Sequence, residues 1–372
     1  MKQSLARILE SDGVRWGVAS VDRLGSVPSM DPEYLLPGAK SVISLAHVID
    51  GDAIRRYLGK EDRNSYPIEE AEITRALFTR AHEAARFLES EGHRAVVVMP
   101  NGDYRYKDDG PDIPLFIVRA IITWLMSESG PGITTLKESL VRKLYPAAFG
   151  GVDWNLTPTF SHRYGAVAAG VGAFGWSGNV MAPEFGSRVL LETVITDAEL
   201  SPDDMLEETP CDGCRICTKV CQAGYMTTKE KDSVRIGGVT HVHNRKRSNI
   251  RCSIVCAGFT GQNLYDDWST WSPGRFTLPE TDEHIREFFD RFVMKTLTTN
   301  DWYARAVRSL ALGTEAGYMD TVPPEDKVRA TCGNCQLVCW ADRREREYNY
   351  ELLTGSGRVV EGKDGSLEVI RD

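Results

Sequence analysis

No cysteine occurs before Cys211; all nine lie in the remainder of the chain. Disulfides therefore cannot brace the first half, and in a reducing compartment the clustered thiols read as metal ligands. The opening residues MKQSLARILESDG contain neither an apolar leader nor paired arginines, so no secretion route is signalled and a cytoplasmic location is expected. The longest apolar stretch, Ile113 to Met126, carries Arg119 and is too short to span a bilayer, which predicts a buried helix there. Positive charge is not in excess: net charge is −9, which favours solubility and disfavours a nucleic-acid partner. Low-complexity segments are missing, and 42% apolar with 26% charged residues excludes a disordered or fibrous class. No G-x-G-x-x-G follows a strand pattern, so no dinucleotide fold is read.

With 372 residues there is length for a large core and two structural units. Periodicity predicts a helix over Gln3 to Ser11, strands over Val14 to Val21, Ser41 to Val48 and Arg94 to Met99, and a helix over Glu69 to Gly92. In that helix Ala71, Ile73, Leu77 and Ala81 face inward. A turn is expected at Pro100–Asn101–Gly102, with helices at Leu115 to Met126 and Thr135 to Tyr145. This is an α/β or α+β pattern. Regular periodicity weakens after Pro210, where irregular segments such as Trp268 to Pro279 follow. Arg358 to Ile370 alternates about Lys363–Asp364–Gly365 and predicts a hairpin. The expected units are residues 1–205, 206–345 with a long insertion, and a tail, 346–372.

Seven cysteines form two ladders, CDGCRICTKVC (Cys211 to Cys221) and CGNCQLVC (Cys332 to Cys339). A C-x2-C-x2-C loop wraps three thiolates round one four-iron cluster, and the next cysteine points to the neighbouring cluster. On that logic Cys211, Cys214, Cys217 and Cys339 hold one 4Fe-4S cluster. Cys221, Cys332 and Cys335 hold the other, and either Cys252 or Cys256 completes it. Four-cysteine zinc is the rival, but three cysteines within seven residues suit a cubane better than a tetrahedral ion. A C-x3-C-x2-C radical motif is not present. After the last cysteine of each ladder, where proline is usual, stand Gln222 and Trp340.

Between His162 and Leu200 lies a helix start, then a glycine-rich loop (Gly170, Gly172, Gly175, Gly178), then a turn from Pro183 to Gly186 before a strand. Glycines let backbone come close to a flat or anionic group, or to other backbone. The run AGVGAFGWSGNVMAPEFGSRVLL, the TDAEL after it and both ladders together resemble the corrinoid-dependent iron–sulfur reductases. These comprise the reductive dehalogenases and the epoxyqueuosine reductases. The resemblance spans Leu35 to Trp340. It implies an α+β architecture: a nitroreductase-like domain holding base-off cobalamin, then a ferredoxin-like domain with two 4Fe-4S clusters. It implies that Gly170, Gly172, Gly175, Trp176, Ser177, Gly178, Asn179, Pro183 and Gly186 contribute to cofactor binding, with the corrin between this loop and the first ladder. The chain lacks the D-x-H-x-x-G of corrinoid domains that donate a histidine to cobalt. In the related reductases a single cysteine sits at the RCSIV register, which favours Cys252.

Epoxyqueuosine reductases carry an acidic residue shortly before the glycine loop, and LTPTFSHR (Leu156 to Arg163) has none. Dehalogenases use a tyrosine acid beside a basic residue. The candidates are Tyr104, Tyr106, Tyr145 and Tyr164, with Arg163 and Arg188 as partners and His162 as a further donor. Arg245, Lys246, Arg247 and Arg251 form a basic run, read as a solvated loop or a contact for a phosphate tail, a ferredoxin or tRNA. Trp268 to Phe276 reads as packing or as a pocket wall. The expected activity is a cytoplasmic reductive dehalogenase acting on a small halogenated substrate. Its electrons come from a ferredoxin or flavodoxin, with no nucleic acid and no membrane. An epoxyqueuosine-type tRNA reductase and an electron-transfer or corrinoid-activating protein are the alternatives.

Overall fold

Leu5 and Leu9 lie one helical turn apart and are fully buried, which sets Lys2–Leu9 (α1) against the core. The computed structural model describes residues 1–99, 105, 157–261, 267–298, 332–362 and 366–371. Val14–Ser20 (β1) follows, then Ser41–Val48 (β2), whose first six residues are all buried. Such a continuous run suits a strand covered on both faces. Gly51–Leu58 (α2) is a helix that periodicity did not reveal; Asp50 caps it, its Oδ1 accepting from the Ala53 N–H at 2.8 Å. Ser65–Ser90 (α3) begins a turn earlier than expected, since Pro67 is tolerated in a first helical turn. It buries Ile73, Leu77 and Ala81, while Ala71 stays half-buried. Ala95–Val97 (β3) is shorter than predicted.

After His162–Ala168 (α4), the glycine-rich segment contributes Ala173–Phe174 (β4) and Val180–Met181 (β5), a small antiparallel pair. Val189–Thr196 (β6) then enters the main sheet, whose order is β1-β2-β6-β3, antiparallel throughout. One face of the sheet packs on α1 and α3 through Ile43, Leu45 and Val194. The other packs on α4 through Val42, Ala46 and Ile195. The fold mixes helix and sheet, as expected.

Beyond Pro210, Ile216–Lys219 (α5) lies within the first ladder. Met226–Ile236 (β7) and Val239–Lys246 (β8) form a long hairpin where the sequence was read as irregular and basic. The signal for it was Gly237–Gly238 flanked by alternating runs. Both glycines take positive φ, +55° and +83°, as a tight two-residue hairpin turn requires. Asn249–Cys256 (α6) and Asp282–Thr298 (α7) surround a satellite core of Ile250, Ile254, Phe259 and Ile285. Asn334–Leu337 (α8) lies in the second ladder, and Arg343–Thr354 (α9) precedes the hairpin of Arg358–Glu361 (β9) and Leu367–Ile370 (β10). Ile216, Val220, Leu337, Val338 and Trp340 join the same core as Leu5 and Leu77, so the ladders pack directly on the sheet-bearing part. No described helix is long and apolar enough to cross a membrane.

Candidate functional site

The two ladders repeat one local structure. The residue after Cys214, Arg215, and the residue after Cys332, Gly333, are both left-handed (φ +64° and +115°), and each starts a one-turn helix. This turn lets the next cysteine, Cys217 or Cys335, face the same side as its predecessor. Cys211, Cys214, Cys217 and Cys339 line one small pocket together with Trp176, Arg215 and Arg346. Cys221, Cys252, Cys256, Cys332 and Cys335 form a second group: Cys252 Sγ lies 3.6 Å from Cys256 Sγ, and Cys221 and Cys335 both feel Cys332 and Cys252 electrostatically.

Burial pushes three of these thiols up, Cys217 to about 12 and Cys221 and Cys339 to about 11, whereas the hydrogen bond with Cys256 lowers Cys332 to about 7. Buried sulfurs of this kind stay protonated unless a cation draws off the proton. Among the described residues no three His, Cys, Asp or Glu side chains converge on a single metal ion. A cubane spreads its thiolates further apart than one ion does, and soft, buried, four-fold sulfur is the donor set it takes. The residues present fit two such clusters.

The loop between β4 and β5 bridges the two groups. The Trp176 N–H donates to Cys211 Sγ at 3.3 Å, and Asn179 Nδ2 donates to Cys335 Sγ at 3.6 Å. Three basic or amide side chains hold the loop's carbonyls: Asn244 Nδ2 on Trp176 O at 2.8 Å, Lys246 Nζ on Ser177 O, and Arg163 Nη1 on Gly178 O at 3.3 Å. Arg215 stacks on the Trp176 ring at 3.0 Å. Ser177 Oγ accepts from the Asn179 N–H, and Pro183 is exposed on the next turn. Most of the glycines meet protein, not open space. A Cβ on Gly170 would lie 2.0 Å from Asp204 O, on Gly172 2.5 Å from Val180 Cγ1, and on Gly175 2.8 Å from Met181 Sδ. Loop and first ladder touch at Trp176 and Cys211, and the seat for a corrin between them rests on the resemblance.

Among the described residues the candidate catalytic side chains face different partners. Tyr104, Tyr106 and Tyr145 lie outside the described residues, as do the helices expected at Leu115 to Met126 and Thr135 to Tyr145. Tyr164 packs edge-on against Phe174 at 5.8 Å. Arg188 donates to Ile49 O at 3.0 Å and lies over the Trp340 ring, which Arg55 also approaches, while its Nε is buried without a hydrogen-bond partner. His162, the first residue of α4, sits over the sheet between Met99 O (3.1 Å from Nε2) and Thr193 Oγ1 (2.9 Å from Nδ1). A carbonyl can only accept, so Nε2 carries the proton and Nδ1 accepts from the threonine. Burial lowers His162 to about 4, and burial raises Glu192, whose Oε1 is 3.9 Å from Nδ1, to about 8. Both are neutral at pH 7.

Sequence reasoning missed Glu192, Asn244, Tyr225 and Arg346. Tyr225 lies 5.4 Å from the Lys246 ammonium and hydrogen-bonds Asn249. Arg346 is buried, with Nη1 2.7 Å from Asp212 Oδ1 and 3.6 Å from Cys214 Sγ. No local pattern marks it, because its partners are more than 130 residues away in the chain.

A curated protein from Bacillus cereus is 37% identical to this chain over 70 residues, 19% of this chain and 18% of that protein. It is an epoxyqueuosine reductase. The match thus spans less than a fifth of the relative's own length. Solved structures similar to this chain include a selenomethionine-labelled epoxyqueuosine reductase at TM-score 0.40 and 15% identity, covering 95% of this chain and 98% of that one. Another holds a tRNA-Tyr epoxyqueuosine-modified stem loop, at TM-score 0.38, 15% identity and the same coverage. A third, from Bacillus subtilis, has its catalytic-loop aspartate swung out of the active site, again at 0.38 and 15%. No protein-family model matches.

These findings correct the expected partner. The similarity runs to epoxyqueuosine reductases, one of them solved with a nucleic acid, and halide removal from a small molecule gains no support. The physical reason for the error is that net charge is a sum over the whole chain, whereas nucleic acid meets a local surface. On the β7–β8 hairpin Lys229, Lys231, Arg235, Arg245 and neighbouring Arg247 are exposed, against Glu230 and Asp232.

Proposed function

We propose that the chain is an iron–sulfur reductase of the epoxyqueuosine kind, acting on a modified nucleoside in tRNA. The observation that carries this is the division of nine cysteines into a group of four and a group of five, bridged by one loop. The partial match to an epoxyqueuosine reductase accords with it. Residues 206–345 then supply the two 4Fe-4S clusters, residues 1–205 the larger part of the substrate side, and 346–372 a tail whose hairpin closes the common core. Cobalamin enters through the resemblance, and no reaction step is drawn through it.

Removing an epoxide oxygen as water takes two electrons and two protons. Cysteine sulfurs hold the electron-carrying groups, and the Trp176 N–H and Asn179 amide donate to them, favouring the charged thiolate form. The hairpin's exposed lysines and arginines suit tRNA phosphates. The test is nucleoside mass spectrometry of epoxyqueuosine-containing tRNA incubated without oxygen with reconstituted protein, reductant and cobalamin. Loss of epoxyqueuosine with gain of queuosine is expected. Unchanged tRNA, beside full conversion by a Bacillus epoxyqueuosine reductase in parallel, would overturn the assignment.

A further inference from the structure

The second cysteine group has one thiol too many. A four-iron cluster takes four cysteines, and Cys221, Cys332 and Cys335 come from the ladders. Cys252 and Cys256 are the first and last cysteines of α6, four residues apart, so they share one helix face. Their sulfurs are 3.6 Å apart, and Cys256 is also within hydrogen-bonding reach of Cys332, while Cys252 acts on Cys221 and Cys335. The helix is fixed in that attitude. Arg251, 3% exposed, binds Asp282 Oδ1 at 2.6 Å and Pro279 O at 2.6 Å, and Asn249 accepts from Tyr225. Neither thiol is turned away from the group, and neither is set apart by a competing partner.

We propose that Cys252 and Cys256 are interchangeable fourth ligands of the second cluster, so that the site keeps its iron when either sulfur is lost or oxidised. This rests on the two-cluster reading of the cysteines. Exchange needs only that one thiolate leave an iron while its neighbour's thiol passes its proton to that departing sulfur and takes the same coordination position; no net oxidation or reduction occurs. A side-chain rotation over a distance like that between the two sulfurs suffices.

The test uses full-length protein reconstituted without oxygen, with alanine variants, because a serine oxygen can itself ligate iron. Wild type should hold about eight irons and eight sulfides. Cys252→Ala and Cys256→Ala should each keep that content, and the double variant should fall to about four. In Cys252→Ala the electron paramagnetic resonance signal of the reduced second cluster should shift while that of the first does not. A fall to the double variant's content in either single variant would make that cysteine the sole fourth ligand and overturn the proposal. Prolonged alkylation of the reconstituted wild type, read by peptide mass spectrometry, gives an answer that does not depend on a variant's folding. Partial labelling shared between Cys252 and Cys256 is expected, and labelling confined to one of them overturns exchange. Wild type with only about four irons would remove the two-cluster reading itself, and the proposal with it.

Discussion

Glu192 is 1% exposed on a central strand, and among the described residues only the Thr193 N–H donates a hydrogen bond to its carboxyl. Burial raises it from 4.5 to about 8, so its contribution to stability is complete below about 4.5 and is lost as pH climbs through about 8. His162 has the opposite sign: burial lowers it from 6.5 to about 4, and stability is lost as pH falls through that range. The two slopes oppose each other between about 4.5 and 6.5, and above about 7 the buried Lys60, lowered to about 7, adds a slope opposite to that of Glu192. Between about pH 6.5 and 8, Glu192→Gln should therefore make the slope of stability against pH more positive than that of wild type by about 1.4 kcal/mol per pH unit. Thermal melts from pH 6 to 9 check this; parallel curves for the two proteins would refute it. Arg346 acts at the first cysteine group. Its guanidinium beside Cys214 favours the more negative, reduced state of a cluster held there. Arg346→Gln should lower that cluster's reduction potential by roughly 50 mV, at 59 mV per tenfold for one electron. The second cluster serves as the internal reference in a potentiometric titration. Equal shifts in both clusters, or none, would dismiss the assigned role.

At the scale of elements, the turn from Pro183 to Gly186 positions the second ladder. Gly186 has φ +67°, and a Cβ there would come within 2.4 Å of Trp340 C and 2.5 Å of Cys339 O. The next residue, Ser187, donates its N–H to Cys339 O at 2.7 Å, and Gln336 Nε2 donates to Val189 O at 2.7 Å. The turn and the ladder thus lock across backbone, with no flexible side chain to yield. Gly186→Ala combines a left-handed backbone penalty of about 1 kcal/mol with a collision that must push Cys339 outward. Cys339 belongs to the first group, so the reconstituted variant should lose that cluster and keep the other. Iron content near half of wild type, with far-ultraviolet circular dichroism unchanged, is the expected result; full loading would show that the turn does not set the ligand's place.

Over the whole molecule, a net charge of −9 coexists with a hairpin whose exposed residues sum to about +3, five basic against two acidic. A tRNA stem loop should therefore bind with affinity that drops steeply as salt rises, because phosphate neutralisation releases counterions. Lys231→Glu with Arg235→Glu should weaken binding and flatten the logarithmic salt slope by roughly one to two units. Fluorescence anisotropy of a labelled stem loop across a salt series decides the matter. A slope unchanged by the double reversal would locate the nucleic acid elsewhere.

The cysteine spacing by itself pointed to soft-metal ligation, since three thiols in seven residues leave few other uses. Local periodicity determined β1, β2, most of α3 and the final hairpin, because those elements bury a regular stripe or alternate faces. The Gly237–Gly238 hairpin was also legible and was overlooked, its polar strands lacking an apolar stripe. Only tertiary structure could decide that Trp176 and Asn179 reach one cysteine group each, that Arg346 pairs with Asp212 beside Cys214, and that Glu192 is buried next to His162. Each depends on residues distant in sequence meeting where the sheet, the ladders and α9 share a core, and no local pattern encodes a contact of that range. The same holds for Cys252 and Cys256. Their spacing placed both on one helix face, but only the tertiary fold turned that face toward Cys221, Cys332 and Cys335.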